Sequence, residues 1–192
     1  MPSPAPRTSN LTALLQSAPT AGDPTLVRDS SHAVTRLRHL NEAEVITMFT
    51  PFVPHPPGSS LARDMDPFEP LGRAFPRQVR HVPYRLDYGM TETHADFLPA
   101  SGAIVVVICS SQNVLSYDAR AYERQLRFAQ GVMKRVAETK SLASVPVVVL
   151  LVSNGPARQT HEYGLKDFPT LVTLNDYSTA ALTNAVRVLF EK

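Results

Sequence analysis

A continuous apolar segment at residues 103–109, Ala-Ile-Val-Val-Val-Ile-Cys, constrains the fold more than any other feature of the sequence. The segment is too short for a typical helix, and its β-branched residues favour a strand. A strand without a polar face must be covered on both sides, as in parallel sheets flanked by helices. Residues 147–152 have the same character. We therefore predict that residues 103–109 and 147–152 form adjacent central strands.

Strand and helix patterns alternate through the rest of the chain. Four further segments are predicted strands: residues 23–29, 44–50, 78–84 and 170–174. Helices are predicted at residues 61–75, where prolines limit the regular part, after residue 116, and from Ser178 or Thr179 onward. The middle helix has an apolar stripe at Tyr122, Leu126, Ala129, Met133 and Val136. The predicted fold class is α/β, an open, mostly parallel sheet with helices on both faces, which is a three-layer sandwich.

Chain length and proline distribution indicate a single domain preceded by a tail. The chain has 192 residues, enough for one ordinary domain. Residues 1–22 are rich in Pro, Ser, Thr and Ala, so we predict a disordered tail or the remnant of a linker there. Residues 23–192 are predicted to form the sandwich domain.

Charge and cysteine content exclude several classes of function. The formal net charge is only +2 and the basic residues are scattered, which argues against nucleic acid as a partner. The sequence has no apolar run of membrane-spanning length and no signal-peptide pattern, so we predict no membrane association. A single cysteine, Cys109, cannot form an internal disulfide, and we therefore expect a cytoplasmic location.

Polar residues follow several of the predicted strands. In open α/β sheets, ligands bind outside the carboxyl ends of the strands. That rule predicts a ligand site or an interface at this edge, with the loop at residues 54–60 as a wall. The residues predicted to form it are His94, Ser110, Ser111, Asn113, Asn154, Asp176 and Tyr177.

The usual catalytic and cofactor patterns are absent from the sequence. No glycine-rich phosphate loop follows the first strands, and Ser153-Asn154-Gly155 lacks the lysine and aspartate of a guanine-reading motif. The six histidines are dispersed, so no metal or other cofactor is predicted. Cys109 is expected to be an inert core thiol. The acidic residues Asp64, Asp66 and Glu69 are compatible with a carboxylate pair or with a solvated face.

The C-terminal segment carries a resemblance to a known family. Residues 168–191 contain a Tyr-Ser-Thr turn, then Ala-Leu, then Val-Arg-Val-Leu-Phe-Glu. This segment resembles the closing strand and helix of the C-terminal sandwich domain of glycoside hydrolase family 3, and most closely its β-N-acetylglucosaminidases. The family's glycine before the final glutamate is missing. Residues 25–29 and 147–156 resemble the opening and penultimate strands of the same domain.

This resemblance implies a function for the chain. The family's catalytic barrel, which carries the nucleophile, has no counterpart in these residues, so no catalytic residue is assigned and the isolated chain is expected to be inactive. The chain is predicted to act as a structural, barrel-docking or carbohydrate-binding module, with a barrel domain or an amino sugar as partner. The alternative is a degenerate nucleotide-fold, GTPase-like scaffold for protein interaction.

Overall fold

A six-stranded sheet forms the centre of the protein, for which a computed structural model describes residues 21–191. The strands are β1 Thr25–Asp29, β2 Ile46–Pro51, β3 Val79–Tyr84, β4 Ala103–Ser110, β5 Val147–Ser153 and β6 Thr170–Leu174. Their order across the sheet is β1-β6-β5-β4-β2-β3. β1 is antiparallel to β6, and the other neighbours are parallel. The predicted fold class is confirmed.

Helices cover both faces of this sheet. They are α1 Ala33–Arg38, α2 Glu69–Ala74, α3 Glu92–Asp96, α4 Gln112–Tyr117, α5 Ala121–Glu138, α6 Arg158–Gly164 and α7 Thr179–Phe190. One core cluster joins α1, α2 and α7 to the sheet. A second cluster joins α5 to the opposite face, where α6 lies beside it. The three-layer arrangement follows from strands that are apolar on both faces.

β4 and β5 are the central strands, as predicted. They pair in parallel from Ile104 opposite Val147 to Ser110 opposite Ser153. Every residue of both strands is buried. The continuous apolar character of the two segments is therefore explained by helices on both sides.

The neighbouring strands β2 and β4 separate toward their carboxyl ends. They pair only as far as Phe49 opposite Val106, whereas β2 continues beside β3 to Pro51. Chain order also reverses here, because β3 follows β2 on one side while β4, β5 and β6 extend the sheet on the other. The gap between β2 and β4 is thus the topological switch point of the sheet, where ligands bind in folds of this type.

Side chains satisfy the backbone groups that this separation leaves on β4. The Tyr84 hydroxyl donates to the Val107 carbonyl at 2.8 Å. Two residues further along β4, the Gln125 side chain bonds to the Cys109 N–H at 2.6 Å and to the Cys109 carbonyl at 2.7 Å. A buried backbone group without a partner is costly, so these two side chains allow the gap to exist.

The helix predictions are correct in position and differ in detail. The helix predicted at 61–75 is only α2, because Pro70 fits its first turn and Pro67 precedes it. α7 begins as predicted, since the Ser178 hydroxyl accepts from the Ala181 N–H. In α5, Leu126 and Met133 of the predicted stripe are only partly buried, whereas Phe128 and Val132 are fully buried.

The edge strand β1 ties the two ends of the described chain together. The Asp29 carboxylate accepts from the Ala33 N–H at 2.7 Å and from the Thr170 hydroxyl at 3.0 Å, linking β1, α1 and β6. Just before β1, the Gly22 carbonyl accepts from the Asn175 N–H at 2.8 Å. Residues 1–20 of the predicted tail lie outside the described residues.

Candidate functional site

Loops from four strands meet at the carboxyl end of the sheet and are joined by hydrogen bonds. The Tyr177 hydroxyl donates to the Pro54 carbonyl and accepts from the Asn113 amide, each at 2.9 Å. The same Asn113 amide nitrogen donates to the His55 carbonyl at 2.9 Å. Pro54 and His55, the first residues of the loop at 54–60, therefore lie beside Asn113 and Tyr177, and the role of this loop as the wall of a ligand site or interface stays a prediction. We call these residues, with Ser111, Asn154 and Asp176, the strand-end network.

Burial dominates the electrostatics of this network. Tyr177 is 1% exposed, and burial raises its pKa to about 12, with the Cys109 sulfur adding to the rise and hydrogen bonds from Asn113 and Ser111 opposing it. Burial also raises the pKa of the Cys109 thiol to about 12. Both groups are neutral at physiological pH, so Cys109 is no nucleophile there. Asp176 completes the turn by accepting from the Tyr177 N–H at 2.8 Å.

Asn154 joins the loop after β5 to its two neighbours. Its side-chain oxygen accepts from the Gln112 N–H at 2.7 Å, and its nitrogen donates to the Asn175 carbonyl at 3.3 Å. The following Gly155 has a φ of 73°, in the left-handed region that favours glycine. The loops after β2, β4, β5 and β6 are thereby held in one fixed arrangement.

Ser110, the last residue of β4, faces the side of the sheet on which α6 lies, whereas the preceding Cys109 belongs to the core on the other face, because successive strand residues face opposite ways. Its hydroxyl bonds to the His161 Nδ1 at 2.9 Å, and the Ser153 hydroxyl lies 3.1 Å from the same nitrogen. The His161 ring stacks on Tyr122 with centroids 4.0 Å apart. Burial lowers the pKa of His161, which favours the neutral imidazole despite the charge of Glu123. Sequence reasoning missed this buried histidine.

His94 is placed apart from the network. Thr91 caps α3, as the sequence suggests, and the His94 Nδ1 lies 2.8 Å from the Thr91 hydroxyl. The imidazole is half-buried and packs edge-on against Phe49 and Phe128. Burial lowers its pKa, and a hydrogen bond with the Pro83 backbone opposes that effect.

Of the seven predicted site residues, the structure brings five together. Ser111, Asn113, Asn154, Asp176 and Tyr177 share one end of the sheet. Within residues 21–191, neither Ser110 nor His94 is hydrogen-bonded to those five. Most of the five already form hydrogen bonds between loops. These loops therefore hold one another in place.

A cavity of about 590 Å³ lies next to this network, over the ends of β2 and β3. Its walls come from the segment at residues 52–67, from Pro83 and from Tyr117 at the end of α4. Two of the lining aromatic rings are largely exposed, Phe52 at 75% and Tyr117 at 81%. The lining takes in the segment directly after β2, Pro83 of β3 and Tyr117 of α4, and no residue of β4. The sequence signal for it was an aromatic residue placed immediately after a strand and another at a helix end.

Two residues of the predicted acidic cluster brace one wall of the cavity. His81 lies between Asp66 and Glu69, with its Nδ1 3.1 Å from the Glu69 carboxylate and its Nε2 2.7 Å from the Thr50 hydroxyl. The hydrogen bond from His81 is the main cause of the lowered pKa of Glu69. Asp64 has no part in this contact. The cluster is therefore neither a simple solvated face nor a pair of free carboxylates.

Two other site types are not found in the part of the chain that the structure describes. No group of three or more His, Cys, Asp or Glu side chains is placed to bind a metal ion among residues 21–191. No helix in that range is long and apolar enough to cross a membrane.

Known proteins resemble this chain in structure. The sequence matches no known family and no curated protein. A fungal multi-domain GH3 β-N-acetylglucosaminidase superimposes with a TM-score of 0.60 at 16% identity. A GH3 β-N-acetylglucosaminidase from Paenibacillus sp. str. FPU-7 gives 0.54 at 14%, and a β-glucosidase from Listeria innocua gives 0.56 at 18%. At these identities the likeness establishes the fold.

The matched region is only part of each of those proteins. The three superpositions cover 95%, 98% and 96% of this chain but 18%, 32% and 26% of the solved chains. This fold thus occurs in them as one portion of a longer polypeptide.

Proposed function

We propose that this chain is a non-catalytic sandwich domain of a GH3-type glycoside hydrolase, and that its strand-end network docks on a barrel domain. The observation that carries the proposal is the mutual bonding of four loops through Asn113, Asn154 and Tyr177. A surface fixed before binding loses little conformational freedom on association. The fold similarity to portions of GH3 glycosidases supports the choice of partner.

We also propose that the hydrolase to which this domain belongs is a β-N-acetylglucosaminidase. Two of the solved proteins with this fold are named as such enzymes. Glycoside cleavage uses two placed carboxylates, and the network offers only Asp176, whose oxygen is bonded to the Tyr177 N–H. We accordingly expect the isolated chain not to hydrolyse an aryl N-acetylglucosaminide.

Nuclear magnetic resonance with a separately expressed GH3 barrel domain tests the docking. We expect saturable amide shifts at Asn113, Asn154 and Asp176, and a weaker complex for Gln112→Arg. Gln112 is exposed at this edge, while the exposed Gln130 on α5 allows the same substitution away from it. Gln130→Arg should therefore leave the affinity unchanged.

Two results would contradict the docking proposal. Shifts confined to the outer faces of the helices would place the partner elsewhere. Saturable shifts at Asn154 and Asp176 with N-acetylglucosamine alone, and none with the barrel, would make the network an amino-sugar site instead.

A further inference from the structure

The cavity over the ends of β2 and β3 has aromatic and proline side chains in its lining. The two rings at its mouth, Phe52 and Tyr117, are 75% and 81% exposed. Three prolines also line it, Pro54, Pro67 and Pro83. Large rings left in water carry a free-energy cost, and a pair at one cavity indicates a surface that another group covers.

The polar rim of the cavity favours a cationic group. Two aspartates, Asp64 and Asp66, are opposed by the single guanidinium of Arg63. Asp66 is fixed, because it accepts from the Phe68 N–H at 2.7 Å. The side chains of Arg63 and Asp64 are exposed and have no hydrogen bond or ion pair with any residue from 21 to 191. Asp64 is therefore the carboxylate available to a positively charged ligand.

A proline-rich peptide with a basic residue matches this combination of groups. Proline-rich segments form polyproline II helices, which dock in aromatic-lined grooves at a low entropic cost. Proline has no N–H group, so packing it against apolar rings leaves no donor without a partner. A guanidinium on the same peptide would form a charge-assisted hydrogen bond with Asp64.

The chain contains such a peptide at residues 2–7. The sequence there is Pro-Ser-Pro-Ala-Pro-Arg, and Arg7 has the single charged side chain among residues 1–20. A polyproline II helix has about three residues per turn, so Pro4 and Arg7 fall on the same side of it. The peptide thus combines an apolar contact with a cation on one face.

The described part of the chain begins at the same edge of the sheet as the cavity. The Gly22 carbonyl accepts from the Asn175 N–H directly after β6. β2 and β3 are the third and fourth strands across from β6, about 14 and 19 Å away at the usual strand spacing. Arg7 and Ala21 are 14 positions apart, and an extended chain of that length spans up to about 46 Å. Residues 2–7 are therefore within reach of the cavity.

We propose that residues 2–7 of this chain bind in the cavity, with Pro4 packed against Phe52 and Tyr117 and the Arg7 guanidinium bonded to Asp64. Peptide and cavity belong to one chain, so a weak contact is sufficient to fill the cavity. The proposal does not depend on the docking proposed above.

A nitroxide attached at Ser3→Cys in the full chain tests where the peptide lies. Cys109 is fully buried, so the reagent modifies the new thiol. We expect strong paramagnetic broadening of the amide signals of Asp64 and Tyr117. Ser144 lies just before β5 at the opposite edge of the sheet, and its signal should be unaffected. Broadening at Asp64 and Tyr117 no stronger than at Ser144 would overturn the proposal.

Charge exchange tests the ion pair. In the labelled chain, Arg7→Asp and Asp64→Arg should each reduce the paramagnetic relaxation rate at Tyr117 at least about twofold, and the double variant should restore it. Asn10→Asp adds an acidic side chain outside residues 2–7 and should leave the rate unchanged. A double variant with no recovery would contradict the pairing of Arg7 with Asp64.

Substitution of the rings tests the apolar contact. Phe52→Ala and Tyr117→Ala should each reduce the relaxation rate at Asp64 about threefold. Both side chains are exposed, so the variants are expected to fold. Tyr163 is 69% exposed on α6, away from the cavity, and Tyr163→Ala should keep the full rate. Unchanged rates in both cavity variants would overturn the proposal.

A mixed sample separates binding within one chain from binding between two copies. Isotope-enriched chains without the nitroxide are combined with nitroxide-labelled chains of natural isotopic content. The enriched chains should show no broadening at Asp64. Broadening there as strong as in the directly labelled chain would overturn the proposal, because the peptide would then come from a second copy. Docking on a barrel is measured separately with Gln112→Arg, so failure of one proposal is distinguishable from failure of the other.

Discussion

The Gln125 side chain forms two hydrogen bonds with the backbone of Cys109, sixteen residues earlier in the chain. Its oxygen accepts from the Cys109 N–H at 2.6 Å, and its nitrogen donates to the carbonyl at 2.7 Å. A neighbouring strand would make the same pair of bonds. Gln125 thus substitutes for β2 at the level where β2 has separated from β4.

Removal of this side chain should destabilise the fold. Gln125→Ala leaves two buried backbone groups without partners and should lower the free energy of unfolding by roughly 2–5 kcal/mol. Urea denaturation followed by circular dichroism measures the loss. Gln130→Ala makes the same change at an exposed position of α5 and should alter stability by less than about 0.5 kcal/mol. Equal effects of the two variants would contradict this role for Gln125.

The central position of β5 gives a second prediction. Val149→Asp places an unpaired charge where the side chain is 1% exposed, and should cost at least about 3 kcal/mol. Val27→Asp on the edge strand β1 introduces the same group at a side chain 44% exposed, and should cost about 1 kcal/mol or less. Denaturant midpoints compare the variants. Similar losses at both sites would argue against a buried β5.

The Cys109 thiol should be unreactive until the protein unfolds. Its pKa of about 12 leaves almost no thiolate near neutral pH, and the side chain is fully buried. Labelling with a chromogenic disulfide reagent is therefore expected only with denaturant, along the unfolding curve. Ser116→Cys adds an exposed thiol on α4, which should be labelled at once in the native state. Two thiols labelled rapidly in that native variant would show that Cys109 is accessible.

His161 should make stability depend on pH on the acid side. Burial lowers its pKa in the folded state below that of the unfolded chain. The unfolded chain therefore binds the proton first, and this contribution to stability is complete above about pH 6.5 and declines as the pH falls below that value. His94 adds a change of the same sign.

Urea midpoints of the unmodified chain and of His161→Gln, measured from about pH 7.5 to 5, check this dependence. The variant should lose less stability on acidification, because it keeps the contribution of His94 but lacks that of His161. Parallel curves for the two proteins would exclude a lowered pKa at His161. Titration of the imidazole C–H resonance of His161 provides a direct measurement of the midpoint.

Sequence patterns were sufficient for the fold because the strongest signals are apolar and local. The continuous segments of β4 and β5 require cover on both faces, and that requirement alone places them in the middle of the sheet. Buried polar positions could not be predicted in this way. Gln125 lies in the buried face of α5, but its partner is a backbone that becomes available only where β2 and β4 separate.

The candidate site was predicted in part for a similar reason. The rule for strand ends selects Asn113, Asn154 and Tyr177, since each lies within three residues of the end of a strand. It does not distinguish the two faces of a strand end, so Ser110 was grouped with Ser111 although its hydroxyl bonds to His161. The cavity between Phe52 and Tyr117 brings together segments that are far apart in the sequence, so it is a property of the assembled sheet.

The antiparallel pairing of β1 with β6 has a consequence for synthesis of the chain on the ribosome. The Asp29 carboxylate and its partner hydroxyl on Thr170 are 141 residues apart. Translation proceeds from the N-terminus, so β1 is the first of the six strands to emerge and β6, with which it pairs, is the last. β1 must therefore wait, without its strand partner, until β6 has left the exit tunnel, and all four other strands of the sheet are made before this edge is closed.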